Sequence, residues 1–153
     1  MLVRSHSAPS VRVATRAAAL GVTGGKRQTR TLPAIPATVG EARRWVGSVA
    51  AEHLEAGQAE KLRLVISEIV TNALRHGEQS ELIDLAVTPK PEFLCVQVTD
   101  DGPGLAPRPR ALETDTEGGF GLFFVEQLTR RWGVTRENKR TRVWFELDYV
   151  PQA

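Results

Sequence analysis

The sequence predicts an α+β fold: a two-layer sandwich in which three helices cover one face of a mostly antiparallel mixed sheet. Strand-like runs with alternating side chains follow one another along the chain and are joined by short links, which favours antiparallel pairing. Three other stretches repeat apolar residues at the helical period. Each of them therefore has one face that can pack on the sheet.

The first predicted elements are an edge strand and a helix. Residues 28–32 can form a short strand, and Pro33 stops it because proline lacks the N–H that a further ladder bond needs. Thr38 has the side chain of a helix N-cap, and Glu41 stands where it completes a capping box. A helix is then expected to extend to about Leu54.

The second predicted helix runs from about residue 58 to residue 75, after Gly57 has ended the first. Its apolar side comprises Leu62, Ile66, Ile69 and Ala73. Glu68, Asn72 and His76 recur every four residues on the adjacent side, at the margin of the buried arc. Such polar groups are costly to desolvate unless something pairs with them. The stripe therefore indicates a functional site, although a solvated polar stripe has the same pattern.

The remaining elements are two strand pairs with a helix between them. Their predicted order is strand 82–87, turn 89–91, strand 93–99, helix 118–131, strand 132–136, turn 137–140 and strand 141–147. Because each strand pair has a short link, both pairs are expected to be antiparallel.

The composition is that of one globular domain. The chain has 153 residues, of which 41% are hydrophobic and 25% are charged, and this is enough for a single core. No apolar run approaches the roughly 18 residues of a membrane helix, so no membrane partner is expected. The single cysteine, Cys95, excludes an internal disulfide and is expected in the core. A cytoplasmic location agrees with this cysteine content.

Basic residues are concentrated near the N-terminus. Six of them precede the first acidic residue, Glu41, and the remaining 14 stand against 18 acidic residues, a formal charge of −4. Residues 1–27 are expected to be a disordered basic extension, or alternatively a transit peptide, and residues 28–150 are expected to form one domain. Because that domain is acidic and has no base-reading motif, direct binding to nucleic acid is not expected outside the extension.

A segment after the strand at 93–99 carries two adjacent acids and two glycines: Asp100, Asp101, Gly102 and Gly104. A turn explains the glycines, but two adjacent acids are more than a turn needs. A carboxylate at a strand end can accept a hydrogen bond from an exocyclic amine, such as that of adenine. Glycines also allow the backbone to lie close to a ligand.

A second glycine-containing segment stands at the start of the third predicted helix and includes Gly119, Gly121 and Leu122. Exposed N–H groups and the positive end of the helix dipole favour a phosphate group at such a position. Residues 105–117, between the two segments, lack a core pattern. They predict either a flap over a ligand or an ordinary surface loop.

Taken in order, three sets of residues resemble the N, G1 and G2 boxes of the GHKL ATP-binding fold: Glu68-x3-Asn72-x3-His76-Gly77, Asp100-x-Gly102-x-Gly104 and Gly119-x-Gly121-Leu122. Histidine kinases, Hsp90, gyrase B and MutL share that fold. The resemblance covers about residues 28–149 and implies a histidine kinase/Hsp90-like ATPase fold.

Within that superfamily, the chain most resembles the small bacterial anti-sigma factors that are also serine protein kinases. The resemblance includes a domain that stands alone, a short stretch between the second and third boxes, and the segment Leu32-Pro33-Ala34 leading into the first helix. A sensor histidine kinase would need a dimerisation helix with a phosphoacceptor histidine, and the residues before 28 do not supply one.

The resemblance implies ATP and Mg²⁺ as cofactors and gives several box residues a role. Asn72 would hold Mg²⁺ through its side-chain oxygen, and Glu68 would be the general base on a substrate hydroxyl or on water. Asp100 would bind the adenine amine, with Gly102 and Gly104 forming that wall of the site. Counting back from Gly102 favours Asp100 for this role over its neighbour Asp101, which is expected to face the solvent.

The other residues of the resemblance have supporting roles. The phosphates would be cradled by Gly119, Gly121 and Leu122. His76 would help to pack the nucleotide or its lid. Arg108 and Arg110, between the boxes, are candidates for a contact with the γ-phosphate.

The implied function is that of an ATP-binding anti-sigma regulatory factor with protein serine/threonine kinase activity. Such a protein sequesters a sigma factor and phosphorylates an anti-sigma-factor antagonist, and it often forms a homodimer. Catalysis would consist of positioning and charge neutralisation. The alternative is a nucleotide-gated protein-binding regulator with little or no turnover.

Overall fold

A computed structural model of the protein describes residues 25–76, 80–101 and 119–151, and for residues 76 and 119–123 it describes only the backbone. The elements in chain order are β1 (Gln28–Pro33), α1 (Thr38–Ala50), α2 (Ala56–His76), β2 (Leu82–Pro89), β3 (Phe93–Asp100), α3 (Gly119–Leu128), β4 (Arg131–Glu137) and β5 (Arg140–Asp148). The predicted extension falls almost wholly in residues 1–24, which lie outside the described residues.

The five strands form one sheet in the order β1-β2-β3-β5-β4. All four neighbouring pairs in it are antiparallel. The predicted edge strand is indeed at one edge, and both predicted strand pairs are present. This arrangement, with three helices, confirms the predicted α+β class.

The sheet has two faces of different character, because side chains alternate along each strand. The helix-covered face contributes Leu32, Ile83, Leu85, Val87, Leu94, Val96, Val98, Trp132, Val134, Phe145 and Leu147 to one core cluster. The apolar stripe predicted for α2, residues Leu62, Ile66, Ile69 and Ala73, is buried in the same cluster. The opposite side of the sheet, called the open face below, carries the alternate residues, including Asp84, Gln97, Arg142 and Trp144.

The predicted capping box at the start of α1 is wrong. Thr38 is the first helical residue, the N-cap position is held by Ala37, and no side chain caps the helix. The hydroxyl of Thr38 instead donates to the carbonyl oxygen of Pro33, and Glu41 forms an ion pair of 2.9 Å with Arg30. Strand β1 lies close enough to contact both side chains, so tertiary contacts replace the local cap.

Two further predictions about the chain need correction. Gly57 does not end the first helix: α1 ends at Ala50, and Gly57 lies in the first turn of α2. Cys95 does not belong to the core but is half-buried on the open face, opposite Glu146. The run from Phe93 to Val98 is mostly apolar, so composition hides the alternation that turns Cys95 away from the helices. No described helix is long and apolar enough to cross a membrane.

Candidate functional site

Helix α2 begins at the end of the sheet where β3 starts. The side-chain amide of Gln58 donates to the carbonyl oxygen of Asp148 at 2.7 Å. The N–H of Glu55 donates to the carbonyl oxygen of Tyr149 at 3.1 Å. Asp148 is the cross-strand partner of Phe93, the first residue of β3. These two hydrogen bonds fix the start of α2 at this end of the sheet.

The end of α2 lies at the opposite end of the sheet, called the Asp100 end below. The hydroxyl of Ser80, shortly after α2, accepts a hydrogen bond of 2.9 Å from the N–H of Asp101. Since α2 also packs against β3 and β5, it runs alongside β3 in the same direction. It rises about 21 Å between Gln58 and Asn72, and β3 spans about 23 Å. The last turns of α2, which include Asn72, therefore lie towards the Asp100 end.

Helix α3 runs in the opposite direction. The N–H of Arg130, just after the helix, donates to the carbonyl oxygen of Glu146 at 2.8 Å, and Glu146 pairs with Cys95 near the start of β3. The helix packs against α2 and β4 and is about 14 Å long. Its first turn, which contains Gly119 and Gly121, is therefore directed towards the Asp100 end.

Asp100 is buried on the helix-covered face of the sheet. Its exposed fraction is 6%, and its cross-strand partners are Ile83 on β2 and Thr141 on β5. Thr141 is also buried, with an exposed fraction of 5%. The two side chains place a carboxylate and a hydroxyl next to each other at the margin of the core, where polar groups are kept only when they are paired.

The adjacent acid, Asp101, lies on the other side of the sheet. It is exposed, and its Oδ1 is 2.6 Å from the Nε atom of Arg140. The two acids that the sequence left as alternatives are therefore separated by the alternation of side chains at the end of β3. Asp100 faces the helices, and Asp101 faces the solvent.

Glu68 and Asn72 are half-buried on α2. The residues beside them, Ile69, Val70 and Ala73, belong to the core, so the polar stripe lies at the edge of the buried surface. Its third member, His76, is the last residue of α2. The stripe and Asp100 thus belong to the same end of the sheet.

Several predicted site residues are described only in part or lie outside the described residues. Gly119, Gly121 and Leu122 are in the first turns of α3, and only their backbone is described. Gly102, Gly104, Arg108 and Arg110 are among residues 102–118, which lie outside the described part of the chain.

Two residues that the sequence analysis did not select lie in the same row as Asp100. Thr141 is its direct partner on β5, and Arg136 on β4 pairs in turn with Thr141. The Nη1 atom of Arg136 is 3.5 Å from the Oγ1 atom of Thr141. Thr141, Val143 and Phe145 are every second residue of β5, and this pattern could have predicted that the hydroxyl of Thr141 faces the helices. The position of Arg136 depends on strand pairing.

A shallow cavity of about 170 Å³ lies on the open face. Its lining residues are Thr99, Thr135, Glu137, Asn138, Arg140 and Arg142. Thr99 and Arg142 alternate with Asp100 and Thr141, so the cavity lies on the other side of the sheet. It is separate from the arrangement around Asp100.

The model of the histidine kinase-like ATPase domain family matches residues 32–147. The chain belongs to this family. The match includes α2, β3 and α3, and it confirms the GHKL resemblance and the fold that the resemblance implied. Comparison with curated proteins gives no match. The family makes this chain an ATP-binding domain, and the buried carboxylate of Asp100 fits recognition of an adenine nucleotide through its amine.

The residues of this ATPase domain also fit a Mg²⁺ ion that accompanies the nucleotide. Among the described residues no group of three or more His, Cys, Asp or Glu side chains is arranged to hold a metal. Mg²⁺ commonly keeps several waters and takes few protein ligands besides substrate phosphates. The amide of Asn72, half-buried at the Asp100 end, is a suitable oxygen ligand for such an ion.

Proposed function

We propose that this histidine kinase-like ATPase domain is an anti-sigma regulatory factor with protein serine/threonine kinase activity. In this role it sequesters a sigma factor and uses ATP to phosphorylate an anti-sigma-factor antagonist. The observation that supports it most is the burial of Asp100 on the helix-covered face of the sheet, in a chain that belongs to the histidine kinase-like ATPase domain family.

The adenine base is recognised at the sheet. The carboxylate of Asp100 accepts a hydrogen bond from the exocyclic amine, and the hydroxyl of Thr141 lies beside it as a second polar group. The phosphates lie at the start of α3, where the helix dipole and free N–H groups favour negative charge. Gly119 and Gly121 leave the backbone of that turn accessible.

The phosphoryl transfer is served by the polar stripe of α2. Asn72 would supply one oxygen ligand to Mg²⁺, and the ion would neutralise charge on the phosphates. Glu68, one turn earlier, accepts the proton of the substrate serine hydroxyl. The serine oxygen forms a bond to the γ-phosphorus while the bond to the bridging oxygen of ADP breaks.

The second candidate is a nucleotide-gated regulator that binds its partners without turnover. The half-buried position of Glu68 beside Ile69 favours it, because packing at the core margin explains a glutamate there without any catalytic role. In that case ATP sets the affinity for the sigma factor or the antagonist, and hydrolysis is not needed.

Glu68→Gln tests the kinase role. We expect the variant to bind ATP within about twofold of the wild type but to lose phosphate transfer by roughly 100-fold or more, since positioned general bases commonly contribute that much. Isothermal titration gives the affinity for ATP, and radiolabelled ATP with purified antagonist gives the transfer rate. Glu60→Gln, at an exposed position on the same helix, is the matched control.

Two outcomes count against the kinase. Either the wild type transfers no phosphate to any cognate antagonist, or Glu68→Gln transfers it as fast as the wild type. Partner affinity measured with and without a non-hydrolysable ATP analogue then decides the alternative. A nucleotide-dependent affinity without transfer identifies the gated regulator.

A further inference from the structure

A network of charged side chains lies on the open face directly behind Asp100. The Nε atom of Arg140 is 2.6 Å from Oδ1 of Asp101, and its Nη2 atom donates to Oδ2 of Asp84. The other carboxylate oxygen of Asp84 accepts a hydrogen bond of 2.6 Å from the hydroxyl of Thr31. The guanidinium therefore joins the end of β3 to β2 and, through Asp84, to β1.

The charges in this network support each other. Burial acts to raise the pKa of Asp84, but the hydrogen bonds from Thr31 and Arg140, together with the charge of Arg140, lower it. The pKa of Arg140 is raised, chiefly by its hydrogen bond to Asp84. Asp84 and Arg140 are therefore charged at neutral pH, and the contact between them is a charge-assisted hydrogen bond.

The network lies at the end of β3, where a shift of the strand by one residue would turn Asp101 instead of Asp100 towards the helices. Asp100 and Asp101 are adjacent, and a shift of one residue exchanges the side chains that face the two sides of a sheet. Gly102 follows at once, and glycine accepts the backbone conformations that a local bulge requires. The local sequence therefore discriminates weakly between Asp100 and Asp101 as the residue that faces the helices.

Arg140 holds Asp101 on the open face from the position directly opposite it. It precedes Thr141, the partner of Asp100, and its own side chain points to the open face with Asp101 and Asp84. The N–H of Asp101 is also held, by the hydroxyl of Ser80. The side chain of Asp101 is thus held on the side of the sheet away from the helices, and its backbone is tied to the segment just before β2.

We propose that Arg140 is a positioning residue for nucleotide recognition: by holding Asp101 and Asp84 on the open face, it fixes the end of β3 so that Asp100 faces the base. This inference rests on the proposed recognition of the adenine amine by Asp100. Arg140 touches neither the nucleotide nor the reacting atoms.

If Arg140 only stabilised the fold, its loss would lower the free energy of unfolding without changing the preference between nucleotide bases. The side chains of Arg140, Asp84 and Asp101 are 43%, 41% and 50% exposed, and exposed ion pairs contribute little to global stability. Loss of Arg140 should therefore leave the fold largely intact, but Asp100 should no longer be held so firmly as the acid that faces the helices. The ratio of affinities for two nucleotides that differ only at the exocyclic amine measures which acid faces the base.

The test uses the full chain and compares the affinities for ATP and ITP, which has a 6-oxo group in place of the amine. A carboxylate acceptor favours ATP, so the wild type should bind ATP more tightly. We expect Arg140→Gln to lower the ATP/ITP affinity ratio by about tenfold, a change of about 1.4 kcal/mol, with a fall of only a few degrees in Tm. Arg140→Lys keeps the charge without the planar fork and should give an intermediate ratio.

Arg131→Gln is the matched control. Arg131 also lies on the open face and is 3.8 Å from Glu146, but it belongs to the opposite end of the sheet. Its loss should leave the ATP/ITP ratio unchanged. If Arg131→Gln lowers the ratio as much as Arg140→Gln does, the effect is a general property of the sheet and the proposal is wrong.

The outcomes separate this inference from the proposed function. If the wild type binds no ATP, both are overturned. If the wild type prefers ATP to ITP and Arg140→Gln keeps the same ratio, only the role of Arg140 is overturned. Should Arg140→Gln fail to fold, Asp84→Ala removes one hydrogen-bond acceptor from the guanidinium altogether: a lowered ratio supports the proposal, and an unchanged ratio contradicts it.

Discussion

Asp100 and Thr141 are cross-strand partners on β3 and β5, and both are buried on the helix-covered face of the sheet. A carboxylate beside a hydroxyl offers one strong acceptor and one group that can donate or accept. This pair matches the amine and ring nitrogen on one edge of adenine, and it makes the roles of the two residues separable by substitution.

The first prediction concerns the two adjacent acids. Asp100→Asn should weaken ATP binding by roughly 10-fold to 200-fold, because a buried hydrogen bond to a charged acceptor is lost and an amide donor then faces the amine. Asp101→Asn should bind ATP nearly as well as the wild type, since its side-chain oxygen can still accept from Arg140. Isothermal titration of both variants measures this. The reverse order of the two effects would refute the assignment of Asp100.

The second prediction concerns the hydroxyl of Thr141. Thr141→Val keeps the shape of the side chain and removes its only polar atom, so we expect ATP affinity to fall by about fivefold to tenfold, in line with the loss of one hydrogen bond. The free energy of unfolding should change little. Thr135→Val, on the open face, is the control. Equal affinities for Thr141→Val and the wild type would exclude a contact with the nucleotide.

The third prediction concerns the packing of Trp144 over Gly133 on the open face. A Cβ atom at Gly133 would lie 2.6 Å from Cζ2 of Trp144, so Gly133→Ala must displace the indole and should cost about 1–3 kcal/mol. Urea unfolding and near-ultraviolet circular dichroism detect the two effects. Gly47→Ala is the control, because nothing lies within 4 Å of its Cβ position and helix propensity should make it neutral or stabilising. Unchanged unfolding for Gly133→Ala would show that the ring is not fixed there.

The fourth prediction concerns the pH dependence contributed by Tyr149. Burial raises the pKa of Tyr149 to about 12, and its hydroxyl donates to the carbonyl oxygen of Lys90. A raised pKa in the folded state stabilises the fold fully below the ordinary value near 10, and this contribution is lost as the pH rises towards 12. Tyr149→Phe should therefore cost about 1 kcal/mol at neutral pH, and the difference should shrink above pH 10.

Unfolding in urea at several pH values up to 11 provides the measurement. Both proteins carry the same lysines and arginines, so the comparison isolates the tyrosine. A difference between wild type and variant that stays constant from pH 7 to pH 11 would contradict the raised pKa.

Much of the fold could be predicted because its determinants are local. The period of the apolar residues in α2 fixes which side of that helix is buried, and Leu62, Ile66, Ile69 and Ala73 are buried as predicted. Both strand pairs follow from short links, which restrict neighbouring strands to antiparallel pairing. The error at Thr38 arose because a tertiary contact with Pro33 replaced the local cap. The error at Gly57 arose because α2 already begins at Ala56, so that the glycine lies inside a helix.

The candidate site was predictable only in its separate parts. The polar stripe of α2, the acids at the end of β3 and the glycines at the start of α3 are each visible as short patterns. Cys95 was misplaced because a mostly apolar strand hides its alternation, and Arg136 and Arg140 were missed because nothing in their own neighbourhood marks them. Their positions depend on the pairing of β3, β4 and β5.

The sequence by itself determined the class of fold, the buried side of α2 and the short motifs that indicate an ATP-binding domain, because these depend on residues close together in the chain. Only the tertiary structure decided that Asp100 stands beside Thr141 and in front of the Arg140 network. The register between β3 and β5 joins segments far apart in sequence. The register is fixed by the burial of the whole sheet face against the helices. The sequence of a single strand does not specify which strand it pairs with.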